Sequence, residues 1–313
     1  MLIHLDTDLG GDPDDACALA MLLGWPGVEL VGITTTADPG GRRAGYVVRC
    51  LELAGQDRAG IPVAAGAEAS LTTLSCPGSL PDERRYWNGP VPPRPSPPGA
   101  ALDLIDRSVE RGATIVAIGP VTNLALLEIA RPGRLGRVPV VVMGGWVHPP
   151  APGLPDWGPE MDWNVQCDTR AAACILAAAA RLTLVTLPVT LQAHLRATHL
   201  PRLRESGPLG EVLAHQAETH ALDNHMAGLG RAHSRLPDDL LNFHYDPAAC
   251  AVAVGWEGAA VEEMRLQPVL EEGVLRFRAD EKGVEARVVV DLDGEAFAER
   301  WLTAVAAAAL RGP

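Results

Sequence analysis

Apolar runs of strand length alternate with longer stretches of helical period through the first part of the chain. Residues 2–5, 28–35 and 61–65 read as strands, with helices at 15–23 and 42–54 between them. Residues 114–118 and 138–143 are almost wholly apolar, the pattern of strands buried on both faces of a parallel sheet. A helix is expected at 122–130 between them, and another at 171–180 before a strand at 182–187. This alternation predicts an α/β fold with an open, doubly wound, mostly parallel sheet flanked by helices. Three stretches interrupt it. Residues 76–100 are rich in proline and predict an extended surface loop, and 148–159 form a second loop of Pro, Gly and Trp. Residues 194–235, rich in Ala, His and Leu, read as helical. From Val261 the pattern shortens to strands at 265–269, 275–278 and 286–290, and a helix at 295–310 with Asp293 as its cap. These form a small C-terminal strand/helix extension. With no internal repeat or linker, residues 1–313 read as one domain.

Composition narrows the function classes. A chain of 313 residues with 47% hydrophobic content can bury a sizeable core. Its net charge of −13 and lack of a basic cluster give nucleic acid or an anionic membrane no electrostatic footprint. Neither a membrane span nor a signal peptide is expected, since the N-terminus carries Asp6 and Asp8 where a basic, then apolar, leader would stand. Six scattered cysteines without a Cys-x-x-Cys pair predict reduced, buried thiols in a cytoplasm and no zinc cluster.

The densest chemistry lies at the first strand–helix junction. Asp6, Asp8, Asp12, Asp14 and Asp15 fall within ten positions, and Gly10, Gly11 and Pro13 keep the segment irregular. Open α/β sheets place their sites at such junctions. Five anions in one loop repel each other unless a cation sits among them, and a hard divalent ion with oxygen ligands suits them. Helix capping accounts for Asp14 or Asp15 but not for five acids. An EF-hand begins with Asp6-x-Asp8 but fails at Cys17, where a bidentate Glu is required. A phosphatase-type Asp-x-Asp nucleophile is the runner-up, with an Arg holding the phosphoryl group, because the chain's one lysine is Lys282.

Five ordered blocks then carry a resemblance over nearly the full length. They are Asp6-Thr7-Asp8 with Asp14-Asp15-Ala16, in a form with two extra residues before the paired aspartates; Val31-Gly32-Ile33-Thr34-Thr35 with Leu51-Glu52-Leu53-Ala54-Gly55 and Ile61-Pro62-Val63; Ala117-Ile118-Gly119-Pro120-Val121-Thr122-Asn123-Leu124 with Val142-Met143-Gly144-Gly145; Asp162-Trp163-Asn164 with Cys167-Asp168; and His244-Tyr245-Asp246-Pro247. Together they resemble the inosine–uridine-preferring nucleoside hydrolases. The resemblance implies a calcium-dependent N-ribohydrolase that splits a nucleoside into base and ribose. Ca²⁺ would be held by Asp8, Asp15, the Thr122 carbonyl and Asp246, with Asp8 as general base for the attacking water. Asp14, Asp162 and Asn164 would bind ribose hydroxyls, Met143 would line the substrate site, and homodimers or homotetramers are expected. The acid-rich loop suits this chemistry, because an oxocarbenium-like transition state gains from negative surroundings.

The chain also departs from the family pattern. Ala37-Asp38-Pro39 stands where Gly-Asn is common, leaving Asp38 as the candidate sugar contact. Asp162 replaces a Glu, and an expected Asn aligns near Asp156. At the leaving-group end Tyr245 precedes Asp246 where His is usual, with His244 one place earlier; alternation sends the two to opposite sides, and Tyr245 is favoured. Trp87, Trp146, His220, Asn224 and His225 are further candidates near the base. Asp12 lies in the two-residue extension with solvent as its expected surroundings. Two other readings stand beside hydrolysis of an ordinary ribonucleoside: a relative acting on a modified nucleoside or other ribosyl compound, and a non-catalytic nucleoside- or ribose-binding protein.

Overall fold

A computed structural model describes residues 1–56 and 60–310. Its strands are β1 (Leu2–Thr7), β2 (Glu29–Thr35), β3 (Val63–Ala65), β4 (Thr114–Ala117), β5 (Val140–Met143), β6 (Leu182–Val185), β7 (His194–Arg196), β8 (Leu240–Phe243), β9 (Ala259–Glu271), β10 (Val274–Ala279) and β11 (Val284–Leu292). One sheet runs β10-β9-β11-β6-β5-β4-β1-β2-β3, and β7 pairs with β8 apart from it. Every pairing from β3 across to β11 is parallel. Among the described residues of this sheet the antiparallel pairings are those of β9 with β10 and β11, and the separate pair β7–β8 is antiparallel too.

The chain leaves β1 towards β2 and β3 on one side, then returns as β4 on the other. Strand order therefore reverses beside β1, and such a switch point opens a crevice at the carboxyl ends of the strands. β4 and β5 are buried throughout, as their unbroken apolar runs require. Helix Asp14–Gly24 is likewise buried along its whole length. It lies under helices Tyr245–Ala253 and Gly294–Leu310, and the Trp301 indole N–H donates to the Cys17 carbonyl at 3.1 Å. Gly24 permits this contact, since a Cβ there would stand 1.8 Å from the Ala304 carbonyl oxygen.

Element ends moved by a few residues from the expected ones, and larger differences have physical causes. The C-terminal strands lengthen the main sheet itself, because β11 pairs with β6 and β9 and β10 follow beyond it. Residues 194–235 open with β7 before helices Leu200–Glu205, Gly207–Asp223 and Met226–Ala232, because residues 194–196 pair with β8. Helices Ala100–Glu110 and Tyr245–Ala253 rise from stretches to which the apolar pattern assigned nothing. The Pro-rich loop holds a single helical turn, Glu83–Tyr86, and lies against helix Arg42–Leu53. A Cβ on Gly45 would meet the Pro92 carbonyl oxygen at 2.3 Å. Cys17, Cys50 and Cys250 are buried, but Cys76 is exposed. Among the described residues no helix is long and apolar enough to cross a membrane.

Candidate active site

The crevice beside β1 is a cleft of about 500 Å³. Asp8 follows β1 directly, and Pro13 then sets the entry to helix Asp14–Gly24. Asp14 and Asp15 occupy that helix's first turn, where the helix dipole favours negative charge. Asp246 takes the same position on helix Tyr245–Ala253, just after β8. Carboxylate oxygens of Asp14, Asp15 and Asp246 lie within 4.8 Å of one another, and all three residues are buried. Asp8 lines the same cleft but stands outside that trio, its Oδ2 accepting from the Trp163 indole N–H at 3.3 Å. Thr122 opens helix Thr122–Ala130 and spends its hydroxyl on Asp168 Oδ2 at 2.7 Å; it is not among the residues lining the cleft.

Burial and mutual repulsion push these acids upward. The carboxyls of Asp14, Asp15 and Asp246 sit well above the usual range, first from desolvation and then from neighbouring carboxylates. Asp8 is raised mainly by burial, with the Arg43 charge working against it. Behind the cleft, burial lifts Asp6 to about 7 despite hydrogen bonds from Thr34 and Asn123. His4, pushed down to about 3 by burial, is neutral and bridges Ser108 and Thr34. Buried acids that repel one another, offering oxygen alone, fit a hard divalent cation.

The sugar-side candidates converge on the same cleft. Asn164 Nδ2 donates to the carbonyls of Ile118 at 3.0 Å and Met143 at 3.1 Å, which fixes the amide and leaves Oδ1 for another partner. Met143 lines the wall beside it. Asp162 also lines the cleft, with both oxygens accepting main-chain N–H groups, from Gly145 and Val165. Burial outweighs those donors and lifts its carboxyl to about 6.

Other candidates are placed elsewhere. Asp38 is buried away from the cleft wall; its oxygens accept from Thr35 Oγ1 and the main-chain N–H groups of Arg43 and Ala44, so it caps a helix. Trp87 stacks on Tyr46 with ring centroids 4.9 Å apart, buttressing the Pro-rich loop. His244 and Tyr245 do diverge, although no extended segment is involved, because Tyr245 begins a helix. The Tyr245 side faces the cleft, whereas His244 is fully buried against Phe297 and Trp301. Trp146 anchors a loop by donating to the Trp157 carbonyl, and it is Trp157 that lines the cleft. Asp156 is exposed, and neither His220 nor His225 reaches the wall, though Asn224 does. Asp12 is not simply solvated: it lines the cleft, accepts from Asn242 and the Asp14 N–H, and faces His220 Nε2 at 3.8 Å.

Besides Trp157, two cleft residues that matter to the chemistry escaped the sequence reading. Trp163 lies inside a quoted block, but nothing in its spacing told that its indole would reach Asp8. Arg43 begins a helix of ordinary amphipathic pattern, and its arrival at the cleft depends on how that helix is capped by Asp38.

The sequence model of the family described as "Inosine-uridine preferring nucleoside hydrolase" matches residues 3–299. The pyrimidine-specific ribonucleoside hydrolase RihA of Salmonella paratyphi C (strain RKS4594) is 32% identical over 222 residues, 68% of each chain. Among solved structures, a purine-preferring ribonucleoside hydrolase from Gardnerella vaginalis superposes with a TM-score of 0.80 at 23% identity, covering 99% of both chains. An inosine-uridine preferring nucleoside hydrolase from Bacillus anthracis superposes at 0.70 and 18% identity, covering 98% of this chain and 99% of that one. Those two likenesses establish the fold. With a match across nearly the whole chain, this protein belongs to the inosine-uridine preferring nucleoside hydrolase family.

Proposed function

We propose that the protein is an N-glycosyl hydrolase that cleaves a ribonucleoside to free base and ribose with the help of a bound calcium ion. The observation that carries this reading is the convergence of Asp14, Asp15 and Asp246, from two helix N-termini far apart in sequence, in one buried cleft with Asp8. Asp15 and Asp246 would hold the ion with Asp8 and the Thr122 carbonyl; Asp14 is close enough to join them or to take a ribose hydroxyl. When bound, calcium would lower the cost of deprotonating a water and orient it.

The chain's own groups supply the rest. Asp8 accepts the proton of the attacking water as general base. Asn164 Oδ1 accepts from a ribose hydroxyl, its amide being pinned by two carbonyls. Asp162 fixes the Gly144–Gly145 turn beside the sugar and offers its remaining lone pairs to a hydroxyl. The ring of carboxylates favours the positive charge that develops on ribose as the bond to the base lengthens. Tyr245 donates its hydroxyl proton or a hydrogen bond to the departing base; its phenol, pushed well above the usual range by burial and nearby acids, stays protonated.

A modified nucleoside or other ribosyl compound is the second reading, favoured by Asp38 being turned into a helix cap instead of the cleft. The test is a screen of purine, pyrimidine and modified nucleosides for ribose release, with and without chelator, on the parent and Asp8→Asn. Release that needs the metal and Asp8 supports the mechanism. Release unaffected by chelator removes calcium from it, and full activity in Asp8→Asn removes the general base. A protein that binds nucleosides without releasing ribose is the non-catalytic alternative.

A further inference from the structure

The cleft wall carries the carboxylates of Asp8, Asp12, Asp14, Asp15, Asp162 and Asp246 and, among the described residues, one cationic side chain, Arg43. Arg43 is 5% exposed, and buried arginines are rare unless paired. Yet no carboxylate among the described residues makes an ion pair with it. Its guanidinium goes to two main-chain carbonyls: Nε donates to Ala37 at 2.8 Å, and Nη1 donates to Asp8. Ala37 lies just beyond β2 and Asp8 just beyond β1, so one planar fork spans the exits of adjacent parallel strands. A cation present for charge alone would have turned to an acid.

The surroundings are built for this placement. Asp38 takes the Arg43 N–H at 2.7 Å and the Ala44 N–H at 3.1 Å, fixing where the side chain starts. Gly10 makes room for its tip, since a Cβ there would stand 3.0 Å from Arg43 Nη1 and 3.2 Å from the Tyr46 ring. Tyr46 is itself held by stacking on Trp87 and by donating to Glu83 at 2.8 Å. Gly10 in the acidic loop thus borders both the guanidinium and the Tyr46 ring that the Pro-rich segment braces.

We infer that Arg43 is a positioning residue that clamps the exits of β1 and β2 through Ala37 and Asp8, holding the Asp8 main chain in place whether or not a cation is bound. This rests on the reading of Asp8 as general base only where turnover is measured. The clamp itself is tested without turnover, by hydrogen–deuterium exchange in chelator on the parent, Arg43→Met and Arg43→Lys. Arg43→Met is expected to speed exchange at least about tenfold in peptides covering residues 8–16 and 36–41, leaving β4 and β5 unchanged. Arg43→Lys keeps the charge but not the fork, so it should restore protection only in part. On calcium-saturated enzyme, Arg43→Met should lower kcat at least about tenfold with KM moved less than about threefold.

Parent-like exchange in Arg43→Met would overturn the clamp, and so would full restoration of exchange and kcat by Arg43→Lys, which would make charge the whole role. If Arg43→Met does not fold, Arg43→Lys decides: faster exchange in those two peptides supports the clamp, and parent-like exchange ends it. Should the parent cleave no nucleoside, the proposed activity fails while the exchange result still judges the clamp.

Discussion

The indole N–H of Trp163 donates to Asp8 Oδ2 at 3.3 Å, so a half-exposed aromatic side chain holds one of the carboxylates that line the cleft. Trp163 is half exposed, at 51%, and packs beside the Gly78 backbone. Trp163→Phe keeps the ring and removes the donor. A hydrogen bond to a charged group contributes about 1.5–3 kcal/mol, but this one is long and partly wet, so a roughly tenfold fall in kcat is expected. Steady-state kinetics check it; an unchanged kcat would mean that Asp8 needs no such support.

Tyr245 and His244 are separable. Tyr245→Phe should lower kcat at least about tenfold on nucleosides whose base leaves poorly, since general-acid help typically gives 10²–10⁴-fold. His244→Leu should leave kcat within about threefold, because the imidazole touches Phe297 and Trp301 and not the cleft. The reverse pattern would move the leaving-group contact to His244.

Calcium should stabilise the fold as well as serve the reaction. At one hundred times its Kd, a ligand that binds only the native state adds about 2.7 kcal/mol. A rise in Tm on calcium addition is expected for the parent, and its loss in Asp246→Asn. Differential scanning calorimetry with and without chelator measures both.

The Asp162 carboxyl gives a pH dependence with a definite sign. Its folded value is about 6, above the ordinary carboxylate value of about 3.9, so the native state binds the extra proton between those limits. That contribution is complete below about pH 4 and disappears as pH rises through about 6, amounting to roughly 3 kcal/mol. Urea melts of metal-free protein at pH 4.5 and 7 should show a shallower decline in Asp162→Asn than in the parent. Equal declines would place the pH dependence elsewhere.

Gly24→Ala tests the packing that carries Asp14 and Asp15. The added methyl group meets the Ala304 carbonyl oxygen, so helix Gly294–Leu310 must shift. Overpacking of this kind costs about 1–3 kcal/mol, read as a lower Tm.

Much of this was legible in sequence. The unbroken apolar runs near Val116 and Val141 told of strands covered on both faces, and the acids after Leu5 told where a cleft would open. Helix Tyr245–Ala253 was legible only at its start, where Asp246-Pro247 reads as a helix entry with Pro in the first turn; its Ala-rich body carries little amphipathic signal. Within the cleft, the residue types followed from motif blocks, but side-chain direction did not. Asp38 has the right charge near the right strand, yet nearby N–H groups at a helix start claim it. Arg43 is the converse, a surface-type residue drawn inward by two carbonyls that only the folded chain brings together.

The tie between Trp301 and Cys17 has a consequence in time. Asp246 is made more than two hundred residues after Asp8, Asp14 and Asp15, and helix Gly294–Leu310, which covers that of Asp14 and Asp15, is made later still. At about 5–20 residues per second, a ribosome needs roughly 10–50 s to bridge that gap. Arg43 follows Asp15 by 28 residues, about 1–6 s at the same rate. The repelling acids and their guanidinium neighbour are therefore all made long before the last carboxylate exists.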